Sequence, residues 1–355
     1  MPITIERDPL PVTILTGFLG SGKTTLLKRI LRETHGQKIA VIENEIGEIG
    51  IDNQILVEST DQQIIVMNNG CICCTVRGDL SKILNELASK RVAGQLDFSR
   101  VIIETTGLAN PAPVAQTFFM DNGVRALYRL DGIITLVDAL HAQDQLDQNT
   151  EAQEQVGFAD HLLLSKTDLV SEAEEQRLRR RLVRMNPRAY IERVHFGDVP
   201  INQILDVNGF NLNTILEISP DFLAAEADKN EQLQHGDHEC GDHCVSPDHH
   251  PRHNHNDAIK SFVLRTENVI DMQRFEIFIQ TMIDLYATEM LRYKGIINFQ
   301  YAAQRFIFQG VHMIMSATPG KEWSNDEKRE SILVFIGRDL RRDVFEREFS
   351  RCVVN

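Results

Sequence analysis

The stretch "VTILTGFLGSGKTT", residues 12–25, decides the fold of this chain. It begins with "VTILT", an apolar and β-branched run that is typical of a strand inside a sheet. "GFLGSGKTT" then satisfies G-x-x-x-x-G-K-[ST] and precedes a segment of helical period, so strand, glycine-rich loop and helix stand in the order that this motif requires. The stretch therefore predicts a P-loop, whose backbone N–H groups and helix N-terminus surround phosphate.

The residues of the predicted loop differ in the group that each offers to a nucleotide. Backbone N–H groups would turn inward around the phosphates at Gly17, Gly20, Ser21, Gly22 and Thr25. Lys23 would reach the β- and γ-phosphates, and the Thr24 hydroxyl would ligate Mg²⁺. The competing interpretation, a chance glycine-rich turn, leaves the flanking strand and helix unexplained.

Short apolar runs continue to about residue 205 and alternate with segments of helical period. Most of the runs are apolar on both faces, as strands buried in a parallel sheet are. They lie at 38–42, 64–67, 100–104, 132–138, 161–165 and 190–194, and helical stretches such as 23–34, 78–91 and 172–184 separate them. The alternation predicts an α/β fold of the P-loop NTPase type, with a doubly wound, mostly parallel sheet.

The length of 355 residues indicates about two domains. Residues 224–258 have no apolar period and are rich in charge, glycine and proline, so they predict a linker or long loop. We therefore expect a P-loop domain over 1–215, a His-rich linker over 216–258 and a smaller C-terminal α/β domain over 259–355.

The C-terminal domain is expected to be of the β-α-β-β-β-α kind. After a strand in "IKSFVLR", a helix over 269–286 should bury one stripe of side chains. The stripe consists of Ile270, Phe275, Phe278, Ile279, Met282 and Leu285. "GIINFQY", "RFIFQGVHMIMSA" and "SILVFIG" then alternate as antiparallel strands do, and a short terminal helix follows.

Composition and charge exclude several classes of function. The net charge of −14 would repel nucleic acid, and the one basic cluster, residues 176–184, is typical of the solvated face of a helix. No segment has the roughly 20 apolar residues of a membrane span, and the N-terminus lacks the features of a signal peptide. The six cysteines do not form a disulfide framework. We expect reduced thiols and a cytoplasmic location.

The segment "RVIIETTG" (100–107) ends a predicted strand in an acid. The carboxyl end of a strand beside a P-loop is where a residue of the Mg²⁺ shell is expected, so Glu104 is the candidate, acting through water. The Gly107 N–H is placed to sense a γ-phosphate. The alternative is an acid that merely caps a strand.

The segment "LLLSKTDL" (162–169) follows another buried strand and matches [N/T/S]-K-x-D. The Asp168 carboxylate can accept from N1–H and N2–H₂ of guanine, a pair of donors that adenine lacks, and Lys166 would lie along the base. Ser165 opens the motif where asparagine is commoner, which weakens the preference for GTP over ATP. The alternative is a Ser/Asp helix cap before "LVSEAEE".

Three of the six cysteines, Cys71, Cys73 and Cys74, fall within four positions. A disulfide between the last two would be strained, and a reducing compartment disfavours it. Three thiolates without a second pair downstream suit a soft or borderline metal with an incomplete shell, which a carrier needs and a structural site avoids.

Taken in order, these motifs resemble the CobW-type family of P-loop GTPases, which is related to metallochaperones for nickel enzymes and to nitrile hydratase activators. The resemblance covers nearly the whole chain apart from the His-rich loop. It is carried by "TGFLGSGKTTLL", "ENEIGEIGID", "NNGCICC", "ETTGLANP", "SKTD", "MLRYKGI" and "FQGVH". It implies a nucleotide-binding domain with a sheet-rich C-terminal domain, GTP hydrolysis, and Zn²⁺ or a similar metal such as Co²⁺ or Ni²⁺ at the cysteines.

The resemblance also implies that "ENEIGE" (43–48) is a switch-like segment whose acids approach the metal and Mg²⁺ sites. Glu43 and Glu48 match those acids, and they follow the strand 38–42 at its carboxyl end. The alternative is that both are solvated loop acids. A second metal-binding cluster is expected in the His-rich loop, from His235, His238, Cys240, His243 and Cys244.

The function predicted from the sequence is that of a GTP-hydrolysing metallochaperone. GTP state would reposition the switch-like segment and the cysteine loop, and the metal would pass to a client metalloprotein that supplies replacement ligands. Two alternatives stay open: a metal-buffering protein with a vestigial GTPase, and a P-loop kinase for a small molecule. Expected partners are GTP, a transition-metal ion and the client, with no nucleic acid and no membrane; a homo-oligomer is compatible with this reading.

Overall fold

The computed structural model describes residues 8–33, 36–43, 56–59, 63–68, 77–207, 209, 257–324 and 326–354. Within these ranges the chain forms two sheets, each of which carries helices. The predicted fold class is confirmed. The predicted division into domains at 215/216 and 258/259 stays a prediction, although a strand does begin at Ile259.

Eight strands of the described chain form the first sheet. They are β1 (Leu10–Gly17), β2 (Ile39–Glu43), β3 (Leu56–Ser59), β4 (Gln63–Asn68), β5 (Arg100–Glu104), β6 (Tyr128–Asp138), β7 (His161–Ser165) and β8 (Tyr190–Arg193). Their order is β3-β4-β2-β5-β1-β6-β7-β8, and every neighbouring pair is parallel except β3 with β4. The strand that leads into the P-loop therefore lies in the interior of the sheet, as its apolar sequence requires.

Helices cover both faces of this sheet. They are α1 (Lys23–Arg32), α2 (Arg77–Val92), α3 (Ala112–Met120), α4 (Asn122–Leu127), α5 (Ala142–Gln148), α6 (Thr150–Phe158), α7 (Glu172–Met185) and α8 (Ile201–Ile204). Successive residues of β1 face opposite clusters, because Ile14 packs into one apolar core and Leu15 into the other. A strand with apolar neighbours on both sides cannot show polar alternation, which explains the continuous apolar runs of the sequence.

The second sheet is antiparallel and has five strands in the described chain. The elements are β9 (Ile259–Thr266), α9 (Met272–Tyr286), β10 (Met290–Ile297), β11 (Gln304–Val311), β12 (Ile314–Glu322), β13 (Ser331–Arg338) and α10 (Arg342–Ser350). The strand order is β12-β11-β10-β13-β9. An aromatic core fixes the two helices on one face; the ring centroids of Phe275 and Phe308 are 5.3 Å apart, and those of Phe335 and Phe345 are 4.9 Å apart.

Two details of the C-terminal prediction were wrong. The segment "RFIFQGVHMIMSA" is a hairpin of two strands, β11 and β12, so the unit has one strand more than expected. The chain reverses at His312 and Met313, where His312 takes a φ of +50°. Leu285 does not belong to the buried stripe of α9, because it is 63% exposed whereas Ile283 is buried.

The two sheets share an apolar junction. Ile259, Leu291 and Ile336 of the C-terminal sheet belong to the same core cluster as Phe158 of α6 and Leu182 of α7. Among the described residues, no helix is both long and apolar enough to cross a lipid bilayer.

Candidate nucleotide-binding site

The carboxyl ends of several parallel strands meet at one edge of the first sheet. β1 ends at Gly17, β2 at Glu43, β5 at Glu104 and β7 at Ser165. Glu43 and Glu104 are direct register partners across β2 and β5. Open parallel sheets bind their ligands at this edge, so the topology brings together residues from four of the predicted motifs.

Glycine is required at two positions of the loop between β1 and α1. Gly17 has a φ of +141°, and a Cβ there would lie 2.4 Å from the carbonyl oxygen of Leu136. Gly22, directly before α1, has a φ of +103°. Other residues rarely adopt such angles, so the sharp turn from strand to helix depends on both glycines.

The Lys23 side chain folds back over the loop that precedes it. Its Nζ donates to the carbonyl oxygens of Gly17, over 2.7 Å, and of Phe18, over 3.1 Å. The positive charge of Lys23 therefore lies at the loop that the sequence predicts to bind the phosphates.

Thr24 and Glu104 lie in contact. Thr24 Oγ1 donates to Glu104 Oε1 over 3.2 Å, and Glu104 is only 5% exposed. The neighbouring Thr105 hydroxyl donates to Thr16 Oγ1 over 2.8 Å, which ties the end of β5 to the end of β1. A hydroxyl and a carboxylate side by side are the oxygen donors that Mg²⁺ prefers, so these residues fit the cation predicted from the sequence.

The segment after Glu104, residues 105–110, packs against the P-loop and is named the sensor segment. A Cβ on Gly107 would lie 2.8 Å from the backbone nitrogen of Leu19 and 2.9 Å from its Cα. Only glycine permits this approach, which brings the backbone of the predicted γ-phosphate sensor to the loop that is expected to hold the phosphates.

A buried glutamine of α6 holds this segment in place. Gln155 is 1% exposed, and its Nε2 donates to the carbonyl oxygens of Gly107, over 3.1 Å, and of Ala109, over 3.0 Å. The turn also closes on itself, because the Ala109 N–H donates to the Thr106 carbonyl oxygen over 3.1 Å. One amide therefore fixes two carbonyl groups of the predicted sensor.

The predicted base-reading motif contacts both the P-loop and β6. Ser165 Oγ donates to the carbonyl oxygen of Ser21 over 2.7 Å. Lys166 has a left-handed backbone, with a φ of +56°, and its Nζ donates to Asp138 Oδ2 over 2.7 Å. Burial by itself raises the pKa of Asp138, but its contacts with Lys166 and His141 outweigh burial and hold the pKa below the usual range. Asp138 is therefore ionised at neutral pH and pairs with the Lys166 ammonium group, which fixes the end of that side chain.

Asp168 lies next to the loop that follows β8. His195 Nδ1 is 3.5 Å from Asp168 Oδ1, and both side chains are about half exposed. The next residue, Phe196, is 78% exposed and has a φ of +46°. The loop is anchored to α1, because Arg29 Nη2 donates to Asp198 Oδ1 over 2.6 Å. An accessible ring and a carboxylate at one place are the groups that a purine base needs.

Comparison with known proteins assigns the family. Residues 11–193 match the CobW/HypB/UreG nucleotide-binding domain, and residues 259–353 match the cobalamin synthesis protein CobW C-terminal domain. The chain belongs to the CobW family. It is 39% identical over 344 residues to a protein of Escherichia coli K12 named zinc chaperone YjiA, with 97% of this chain and 98% of that protein covered.

One further relative of this CobW-family chain and a crystal structure of YjiA extend the comparison. A protein of Schizosaccharomyces pombe named zinc-regulated GTPase metalloprotein activator 1 is 33% identical, over 94% of this chain and 84% of its own. The crystal structure described as Zn(II)-bound YjiA GTPase from E. coli superposes with a TM-score of 0.75 at 37% identity, covering 98% of this chain and all of that chain.

The predicted metal ligands of this CobW-family chain lie largely outside the described residues. Of the ligands predicted for the transition metal, Glu43 lies inside them, at the end of β2, and the others do not: Glu48, Cys71, Cys73, Cys74, His235, His238, Cys240, His243 and Cys244. Within the part of the chain that the structure describes, no group of three or more histidine, cysteine or acidic side chains is arranged to hold a metal ion. The transition-metal site stays a prediction.

Four residues at this candidate site of the CobW-family chain were not predicted from the sequence. Glu154 and Gln155 support the sensor segment from α6. His195 lies 3.5 Å from Asp168, and its ring contacts that of Phe196 with centroids 4.5 Å apart. No motif marks the first two, because a glutamate and a glutamine on a helix are usually solvated. The sequence "VHFGD" (194–198) did offer a signal, since a histidine, an aromatic residue and a glycine directly follow a predicted strand.

Proposed function

We propose that this chain is a GTP-hydrolysing zinc chaperone that works in the cytosol. The observation that carries the nucleotide part is the contact between Thr24 and Glu104 at the P-loop, with Gly107 packed on the same loop. The metal part is supported by relatives that are named zinc chaperone and zinc-regulated GTPase metalloprotein activator over more than 90% of this chain.

Each residue of the nucleotide site has a distinct task in hydrolysis. Lys23 neutralises charge on the β- and γ-phosphates, and the backbone N–H of Gly107 donates to the γ-phosphate. Thr24 and Glu104 would hold Mg²⁺, the hydroxyl as a ligand and the carboxylate through water. When bound, Mg²⁺ neutralises the negative charge that develops on the phosphate oxygens. No arginine finger can be assigned from the sequence, so we expect slow basal hydrolysis.

We assign recognition of the base to two side chains, Asp168 and Phe196. Asp168 accepts hydrogen bonds from the guanine N1–H and N2–H₂, whereas Phe196 offers its exposed ring for stacking. His195 Nδ1 lies 3.5 Å from the Asp168 carboxylate. The carboxylate distinguishes guanine from adenine; the ring binds either base.

Zinc is the cargo, held by Cys71, Cys73 and Cys74 with Glu43 and Glu48 as candidates to complete the shell. A thiolate zinc site is worth about 10–16 kcal/mol, whereas coupling between two sites is typically about 1–3 kcal/mol. GTP hydrolysis is therefore too weak to release zinc into water. Transfer needs a client protein that offers replacement ligands.

A second candidate function is metal buffering. It is favoured by the seven histidines between His235 and His255, far more than a solubilising linker requires. In that case zinc capacity resides in the His-rich loop and GTP hydrolysis is incidental. Deletion of residues 235–255 would abolish most zinc binding under this hypothesis and leave the cysteine site under ours.

The test of the proposed function is zinc stoichiometry and affinity with and without a GTP analogue and Mg²⁺. The wild type is compared with the triple variant Cys71→Ser, Cys73→Ser, Cys74→Ser. Cys352→Ala is the matched control, because burial raises the pKa of Cys352 to about 12 and its S–H donates to the Glu348 carbonyl oxygen, so this thiol is not a metal ligand. We expect the triple variant to lose one tightly bound zinc and the control to keep it.

Two results would contradict the proposal. One is a zinc affinity that is identical with the GTP analogue and with GDP. The other is a triple variant that retains both zinc and nucleotide-dependent behaviour. Transfer of phosphate to an acceptor other than water would instead favour a kinase.

A further inference from the structure

Arg338, the last residue of β13 in the C-terminal sheet, reaches the nucleotide-sensing segment through one shared carboxylate. The geometry points to Arg338 as a positioning residue for GTP hydrolysis, acting through Glu154 and Asn110 on the segment that carries Gly107. This inference rests on the proposed function, because it assumes that the site hydrolyses GTP.

The Glu154 carboxylate of α6 accepts hydrogen bonds from both Arg338 of the C-terminal sheet and Asn110 of the sensor segment. Arg338 Nη2 donates to Glu154 Oε1 over 2.7 Å, and Asn110 Nδ2 donates to Glu154 Oε2 over 2.7 Å. The Asn110 side chain also accepts from the Ala112 N–H over 2.8 Å, at the start of α3. One carboxylate therefore joins the C-terminal sheet to the end of the segment that follows Glu104.

The next residue of α6 contacts the same segment from within. Gln155 donates to the carbonyl oxygens of Gly107 and Ala109, and its own carbonyl oxygen accepts from Thr135 Oγ1 over 2.8 Å. Two consecutive side chains of one helix thus hold the segment at three points. A shift of α6 would move Gly107, which has no spare room against Leu19.

The C-terminal sheet also contacts α6 through backbone groups. Gln153 Oε1 accepts from the N–H groups of Ala258, over 3.0 Å, and Ile259, over 3.2 Å. Further along the helix, a Cβ on Gly157 would lie 3.0 Å from Leu291 Cδ1. The helix therefore makes direct contacts with both the sensor segment and the C-terminal sheet, so displacement of one side reaches the other.

The ion pair matters because Glu154 is mostly enclosed. Its side chain is 15% exposed, and burial raises its pKa while the Arg338 guanidinium opposes that rise. Without Arg338, the protonated form becomes more favourable. A protonated carboxyl has one oxygen that donates rather than accepts, which weakens the bond from Asn110.

The experiment uses the full-length chain and compares Arg338→Met, Arg338→Lys and Glu154→Gln. The matched control is Arg265→Met, since Arg265 lies in the same sheet and also forms a 2.7 Å ion pair, with Glu330, but does so on the exposed surface. We expect Arg338→Met and Glu154→Gln to lower kcat for GTP about 5- to 20-fold with KM changed less than about twofold, a coupling within the usual range for linked sites.

Two further readouts separate positioning from general loss of fold. Arg338→Lys, which keeps the charge, should recover part of kcat. The double variant Arg338→Met, Glu154→Gln should be no slower than the slower of the two single variants, because both changes break the same chain of contacts. Amide hydrogen exchange of residues 105–110, measured with a GTP analogue bound, should rise in Arg338→Met and stay unchanged in Arg265→Met.

The inference is overturned if Arg338→Met retains the kcat and the exchange rates of Arg265→Met. It is also overturned if kcat falls only in proportion to the folded fraction. A wild type that hydrolyses no GTP would refute the proposed function instead; in that case the exchange of residues 105–110 still decides whether Arg338 positions the segment.

Discussion

Thr24 and Glu104 are 80 positions apart in the sequence, and the Thr24 hydroxyl donates to the Glu104 carboxylate over 3.2 Å. The contact exists because β5 runs parallel to β1 in the sheet, which places the end of β5 beside the first turn of α1. A P-loop hydroxyl and a buried carboxylate are thereby held together by the fold itself. This relationship makes the role of Glu104 testable by a single change of charge.

Glu104→Gln is expected to lower kcat for GTP by about 10- to 100-fold, the usual cost of losing an outer-shell partner of a metal. The amide keeps the size of the side chain and still accepts from Thr24, but it lacks the negative charge that favours Mg²⁺. Steady-state hydrolysis at increasing Mg²⁺ checks this, and the variant should need more Mg²⁺ for half-maximal rate.

The control for this change is Glu86→Gln. Glu86 lies on the exposed side of α2 and pairs with Lys90 over 2.6 Å, away from the loop. Its rate and Mg²⁺ dependence should match the wild type. A Glu104→Gln protein with the Mg²⁺ dependence of the wild type would show that the carboxylate only caps its strand.

Phe196→Ala and Asp168→Ala should affect nucleotide binding in different ways. Loss of an aromatic stacking partner typically costs about 1–3 kcal/mol per base, so Phe196→Ala should raise Kd for GTP and for ATP alike, by about 5-fold or more. Asp168→Ala should raise Kd for GTP far more than for ATP, because only guanine presents the donor pair. Competition titration with both nucleotides measures the ratio.

Tyr190→Ala serves as the control for Phe196→Ala. Tyr190 is 61% exposed at the start of β8, where its ring contacts His161 with centroids 5.1 Å apart, at the opposite end of the strand from the base region. Its removal should leave both affinities unchanged. If Phe196→Ala alters the GTP-to-ATP ratio while Asp168→Ala does not, the two assignments are reversed.

Gly107→Ala should impair hydrolysis because the added methyl group meets Leu19. The new Cβ would be 2.5 Å from Leu19 Cδ2 and 2.8 Å from its backbone nitrogen, and backbone cannot move aside as a flexible side chain can. We expect kcat to fall at least tenfold and stability to fall by about 1–3 kcal/mol, as for other overpacked sites. Leu108→Ala, at a 53% exposed neighbour, should change neither quantity by a comparable amount.

The sequence predicted those parts of the site that are encoded by neighbouring residues. The P-loop, the acid at the end of β5 and the Ser165–Asp168 motif each occupy one short stretch, and each side chain lies where the order of strands places it. Gln155 was not predictable, because its bonds run to residues 46 and 48 positions away and depend on how α6 packs. Contacts of this kind follow from tertiary packing rather than from a local pattern.

The two errors in the C-terminal unit have different causes, one local and one tertiary. The β11–β12 hairpin turns at His312 and Met313, which lack the Asn-Gly signal that usually marks a two-residue turn. In α9, Leu285 and Ile283 are both apolar, and only the position of the sheet decides that Ile283 is buried and Leu285 is not. Periodicity identifies a helix more reliably than it identifies the last residue of its buried face.

Lys294 gives the stability of this protein a distinctive dependence on pH. It lies in β10, is only 3% exposed, and its Nζ lies 3.5 Å from the carbonyl oxygen of Gly209. Burial, together with the charges of Arg188 and Arg292, lowers its pKa to about 7. The unfolded chain holds this proton up to about pH 10.5, so between about pH 7 and 10.5 the unfolded state binds more protons than the folded state.

The free energy of unfolding should therefore rise with pH across that window, by an amount on the order of a few kcal/mol, because the cost of burying the charged lysine disappears as it loses its proton. Below about pH 7 the cost is present in full. Denaturant unfolding at a series of pH values measures this slope. Lys294→Met removes the titrating group and the buried charge, so it should be more stable than the wild type at pH 7 and show a flatter profile. The control is Lys260→Met, at an exposed position of β9, which should keep the wild-type dependence of unfolding free energy on pH. If Lys294→Met also kept that dependence, a group other than Lys294 would be responsible for it.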